Sequence, residues 1–196
     1  VKVVSKSVRS VLLNWYFGRY RSKSVSEFRL LKIVANALIF QVGWILCVLY
    51  GNTAAIGVAG FCTVIFLLFF RQNSRDLLLI ATILALGLFG DSLLGFLTIL
   101  RYPSNNFYPP FWLVTLWLLF AQALTWSLQW IVKRQLAFIL FSAIGGTLSY
   151  ILGVNLSDVA YGVDGEVAII TLASLWTVYG LVIHRIYLWW LRGQSL

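Results

Sequence analysis

Apolar residues in this chain come in long unbroken runs rather than in alternation. Six runs stand out, at residues 33–50, 53–70, 77–100, 111–132, 136–154 and 167–189. Runs of about 18 or more residues with few charges predict membrane-spanning helices. A transmembrane barrel would instead show short segments alternating apolar and polar positions. The expected fold is all-α: a polytopic membrane protein whose residues 31–192 form a six-transmembrane-helix bundle.

Composition agrees with this pattern. The 196 residues are 61% hydrophobic and 11% charged, with a mean hydropathy of +0.89. That is more apolar surface than a soluble fold of this size can cover. The net charge of +9 at first suggests a nucleic-acid partner. Its distribution argues for a membrane and against nucleic acid. Fourteen of the fifteen basic residues fall before the first run, between runs two and three (Arg71, Arg75), between runs four and five (Lys133, Arg134), or at the end (Arg185, Arg192). The intervening regions hold only Arg101. The positive-inside rule then places both termini in the cytoplasm. Asp158, Asp164 and Glu166 fall on the opposite side, without the spacing of a calcium loop.

Residues 1–30 read as a separate cytoplasmic extension. Val8, Val11, Leu12 and Trp15 recur at helical spacing among Arg9, Arg19, Arg21 and Lys23. This fits either a short helix on an anionic leaflet or a disordered basic tail. Position 1 is valine, which fits a GTG start codon or a start placed too far upstream.

Chemistry-bearing residues are few. Cys47 and Cys62 fall inside spans, and His184 is the one histidine, expected as an interfacial cation beside Arg185. No Walker loop, GxSxG elbow or zinc motif is present. No metal or cofactor is implied, and one histidine with one buried acid is a thin toolkit for unaided catalysis.

The exception is "LGLFGDSLLGFL", which puts Asp91 inside the uncharged run 77–100. A mid-span aspartate costs about 2.5–3.5 kcal/mol on insertion scales, and normally faces the bundle interior with a partner. Gly87 and Gly95 flank it on one helical face, which permits close approach of another helix. Counting depth from the ends of the runs places Gln41 and Gln122 level with Asp91. Gln122, Thr125, Trp126 and Gln129 follow a helical stripe, and Trp44 shares a face with Gln41. Thr171 and Ser174 lie on span six. Ser142, Gly146, Ser149 and Gly153 form a small-residue face on span five, beside Tyr150. These groups either glue helices together or line a cavity around Asp91. The candidate cavity residues are Asp91, Gln41, Trp44, Gln122, Thr125, Trp126, Gln129, Ser149 and Tyr150.

The segments "NALIFQVGWILCVLYGN", "GDSLLGFLTILRYP", "PPFWLVTLWLLFAQAL" and "AIGGTLSYILG" together resemble a bacterial inner-membrane family, domain of unknown function 2878, over about residues 31–190. Thr147 departs from it, standing where the family often has proline. The resemblance implies a bacterial inner-membrane location and an association with lipid-modifying enzymes such as cyclopropane-fatty-acid-synthase-like methyltransferases. It points to a membrane subunit or lipid-binding component of a fatty-acid- or phospholipid-modifying system. Its partners would be membrane lipid and a soluble lipid-modifying enzyme at the basic cytoplasmic face. The alternative is a small proton- or cation-coupled transporter using Asp91.

Overall fold

Long apolar sequence becomes long helix, because in an apolar solvent every backbone N–H and C=O must find its partner within the chain. The computed structural model describes the backbone of residues 2–103 and 107–193, with side chains described from Ser26 onward within those limits. The helices are α1 (Lys2–Ile65), α2 (Arg75–Phe96), α3 (Phe111–Leu124), α4 (Gln129–Val132), α5 (Gln135–Phe141), α6 (Thr147–Leu156) and α7 (Gly165–Arg192). A π-helical turn, Phe66–Phe70, extends α1, and another, Ser142–Gly146, joins α5 to α6. The fold is all-α, as expected. Four described helical segments are long and apolar enough to cross a membrane: Ser26–Phe70, Arg75–Phe96, Gln135–Leu156 and Gly165–Arg192. Phe111–Leu124 is a shorter apolar helix.

The chain divides into two compact units, residues 1–35 and 36–196. In the first, Phe28, Leu30, Leu31 and Val34 are exposed, and the Lys32 ammonium lies 5.1 Å from the centre of the Phe28 ring. The amino-terminal stripe of Val8, Val11, Leu12 and Trp15 lies outside the described side chains.

The second unit begins with a reversal inside α1. Gly51 has φ 57° and ψ −142°, a conformation that residues with a Cβ rarely adopt. Asn36, before the reversal, accepts hydrogen bonds from the Ser127 backbone N–H (3.1 Å) and hydroxyl (2.7 Å). The Phe70 carbonyl, after it, accepts from the Trp126 indole at 2.8 Å. The bend itself meets α3, where Trp112 N–H donates to Asn52 Oδ1 at 3.0 Å. Both arms therefore end on the same turn, and runs 33–50 and 53–70 form an antiparallel hairpin along α3.

α3 is the centre of this unit, with most of its residues buried. α2 packs along it, the Trp176 and Tyr179 rings of α7 reach Trp117 on it, and α7 lies against α5 and the π turn. Beyond α2 and α6, two short strands, β1 (Leu100–Arg101) and β2 (Ala160–Tyr161), pair antiparallel, Leu100 opposite Tyr161 and Arg101 opposite Ala160. Asp164 caps α7 by accepting from Glu166 N–H at 2.9 Å. Large apolar side chains such as Phe61, Leu68, Phe89 and Leu136 cover the outside. Such a surface suits lipid as solvent.

Three expectations are corrected. The apolar run predicts span three to residue 100, but α2 ends at Phe96 and Thr98 turns the chain at φ 54°. The apolar run predicts span four as helix to residue 132, but α3 ends at Leu124. There Thr125 Oγ donates to the Gln122 carbonyl at 2.7 Å, and Ser127 turns to Asn36. Hydroxyl side chains compete with the helix in this way. His184 is buried rather than interfacial, its Nδ1 2.7 Å from the Val132 carbonyl.

Candidate functional site

Asp91 faces inward and is fully buried. Both carboxylate oxygens have donors: the Trp117 indole N–H on Oδ2 at 2.7 Å, and the Tyr150 hydroxyl on Oδ1. The Asp91 backbone carbonyl also accepts from the Tyr102 hydroxyl at 2.9 Å. One residue thus ties α2 to α3, to α6 and to the loop before α3. Depth explains the partners. Asp91 lies five residues from the end of α2, Trp117 six from the start of α3, and Tyr150 six from the end of α6. All three are about 8–9 Å from the β1–β2 end of their helices.

Two glycines seat the aromatic rings around this carboxylate. A Cβ on Gly87 would stand 2.0 Å from the Trp117 ring, and one on Gly146 would stand 2.0 Å from the Trp176 ring. Between the glycines the two indoles stack, with centroids 5.2 Å apart and planes 6° from parallel. Tyr179 meets both edge-on, a preferred aromatic geometry. The order Gly87, Trp117, Trp176, Gly146 clamps α2 to the π turn through α3 and α7.

On the far side of this stack lies a partly open cavity of about 210 Å³. The 36–50 arm of α1, α3 and the α5–α6 helix enclose it. Phe40, Trp44, Phe120 and Phe141 give it apolar walls. Ser142, Gly145, Gly146, Ser149 and Gly153 make room for it on the α5–α6 side. Trp117 and Tyr150 form part of the wall, with Asp91 behind them. Trp176 Nε1 and Ser142 Oγ, on two residues that line the cavity, have no hydrogen-bond partner among the described residues.

The family described as "Protein of unknown function (DUF2878)" matches residues 33–181, most of the chain. The chain belongs to this family. No curated protein and no solved structure matches it. The DUF2878 match spans the whole aromatic stack, both sides of the cavity and Asp91.

Of the residues expected around Asp91 in this DUF2878 chain, the structure gathers Tyr150 at the carboxylate and places Trp44 and Ser149 on the cavity. It does not gather the rest there. Gln41 is exposed on the outside of the hairpin. Gln122 is buried two residues before α3 ends, beyond Asp91 in depth. Thr125, Trp126 and Gln129 do not share a helical face, because the helix ends before them. Thr125 bonds Gln122, Trp126 bonds Phe70, and Gln129 Nε2 donates to the Thr125 carbonyl. Thr171 and Ser174 return their hydroxyls to carbonyls of their own helix. Trp117 and Trp176 were missed. The signal for them was the glycine spacing, since a glycine facing inward beside a buried acid asks what fills its missing side chain. Among the described residues, no three His, Cys, Asp or Glu side chains could together hold a metal ion.

Proposed function

We propose that this chain is a lipid-binding component of a bacterial inner membrane, holding one acyl chain in the cavity between α1, α3 and α5–α6. The cavity carries this reading. Its walls are aromatic and aliphatic, and it extends along α5–α6 from Phe141 to Val154. Thirteen residues of helix rise about 20 Å, more than half of a hydrocarbon core about 30 Å thick. An acyl chain of one leaflet fits that length and polarity. Asp91 has both oxygens occupied and does not line the cavity. This favours a lipid site over a transport path built on that residue. Asp91 is then a positioning residue, holding Trp117 and Tyr150 in the wall. Purified protein should retain phospholipid detectable by native mass spectrometry. Gly145 lines the cavity and a Cβ on it would meet nothing within 4 Å, so Gly145→Leu fills the space without a backbone clash. Retained lipid should fall at least fivefold while the melting temperature holds; unchanged retention would remove the cavity as the site.

The proposal includes six spans with both termini cytoplasmic. The hairpin reversal at Gly51 supports reading two spans in α1, and the charge distribution supports the orientation. Arg71, Arg75, Lys133 and Arg134 are exposed and would share the cytoplasmic face, where an acidic surface of a soluble lipid-modifying enzyme could dock. Alkaline phosphatase fused after Tyr108 or Asp164 should be active in the periplasm, and fused after Arg134 inactive. Activity after Arg134 would overturn the orientation.

A further inference from the structure

A second cavity, of about 560 Å³, opens at the β1–β2 end, between the α1 bend, the loop before α3 and the end of α6. Its character differs from that of the first. Asn52, Thr53 and Asp158 give it polar walls, and Tyr50, Tyr108 and Trp112 supply aromatic ones. Among the described residues, no Lys or Arg lines it. Asp158 is exposed and makes no hydrogen bond or ion pair among the described residues. Trp112 lines both cavities, so a polar compartment and an apolar one share a wall. An amphiphile with one polar and one apolar end matches that arrangement.

Three aromatic rings beside one unpaired carboxylate form a recognition chemistry for an ammonium group. Ring faces attract a cation through their quadrupole, and the carboxylate adds direct charge complementarity. We propose that this compartment receives the amine-bearing head group of a phospholipid whose acyl chain lies in the apolar cavity. This rests on the lipid-binding reading above and adds the head-group class to it. The ammonium sits among Tyr50, Tyr108 and Asp158. The Asn52 amide and Thr53 hydroxyl face the same space and donate to phosphate or glycerol oxygens. The bond from Trp112 N–H to Asn52 Oδ1 fixes that amide with its Nδ2 left to donate.

The test uses the full chain in detergent, offered an equal mixture of phosphatidylethanolamine, phosphatidylcholine and phosphatidylglycerol, with bound lipid read by native mass spectrometry. The wild type should retain the two amine-bearing lipids over phosphatidylglycerol by about fivefold, as expected for exposed cation–π and ion-pair contacts acting together. Asp158→Asn combined with Tyr108→Ala should bring that ratio close to one, through loss of bound phosphatidylethanolamine and phosphatidylcholine with bound phosphatidylglycerol unchanged. Both side chains are largely exposed, and an unchanged melting temperature will verify the fold. Ethanolamine favoured over choline would assign the larger share to Asp158, and the reverse to the rings; either supports the site. Lipid retained without head-group preference, or with preference for phosphatidylglycerol, would overturn the head-group assignment and leave the acyl-chain cavity standing. No retained lipid at all would overturn both.

Discussion

Asp91→Leu is expected to destabilise the folded protein by about 2–3 kcal/mol. Leucine strands the Trp117 indole N–H and the Tyr150 hydroxyl, both buried and both now bonded to the carboxylate. An orphaned buried donor costs about 1–3 kcal/mol, and polar contacts between membrane helices are worth about 0.6–1.7 kcal/mol each. Two such losses give the stated range. Asp91→Asn behaves differently. Its carbonyl keeps the Trp117 bond, and its amide donates to Tyr150 once that hydroxyl turns to accept. The loss should be about 1 kcal/mol or less, with retained lipid unchanged. Thermal unfolding in detergent, followed alongside lipid retention, separates the two variants. A leucine variant as stable as the wild type would show that the carboxylate holds nothing together. A folded asparagine variant without bound lipid would show that the charge acts on the ligand itself.

Gly87→Ala is expected to destabilise as strongly, although alanine is the better helix former by about 1 kcal/mol. The new methyl would lie 2.0 Å from the Trp117 ring, so the ring or the helix has to move. Overpacking of this kind costs about 1–3 kcal/mol. Moving Trp117 also breaks its bond to Asp91 and its stack on Trp176, which takes the net loss to about 2–3 kcal/mol. Gly57→Ala and Gly60→Ala are the controls, since a Cβ at either meets nothing within 4 Å. They should be neutral or slightly stabilising. A Gly87→Ala protein that melts with these controls would mean that the indole is not seated on α2.

Much of the fold was legible because the hydrophobic runs are long and the solvent simple. The burial of Asp91 was legible for the same reason, since an isolated carboxylate in such a run has nowhere else to go. Its partners were not legible. The rule that interacting groups share a depth was sound, but depth was counted from the ends of apolar runs. Leu97 to Leu100 are as greasy as the helix before them, yet Thr98 turns the backbone and Leu100 joins a strand. Hydropathy registers burial in apolar surroundings, not backbone conformation. Measured from the true helix ends, the residues level with Asp91 are Trp117 and Tyr150. The end of α3 shows the same limit. Nothing in the apolar character of residues 125–132 marks the break; the marks are the hydroxyls of Thr125 and Ser127, which bond backbone and Asn36.

The π turn at Ser142–Gly146 carries one residue more than an α-helical turn needs. The wide turn absorbs that residue, so α5 and α6 face as they would in an uninterrupted α-helix one residue shorter. Loss of one codon within the turn would let them run on as one regular helix with their phase kept, Phe138 still turned inward and Tyr150 still at Asp91. Loss of a codon elsewhere in α5 or α6 would rotate one half against the other by about 100° and take one of them off the bundle. Within this stretch of helix, the π turn is where length can change without a change of phase.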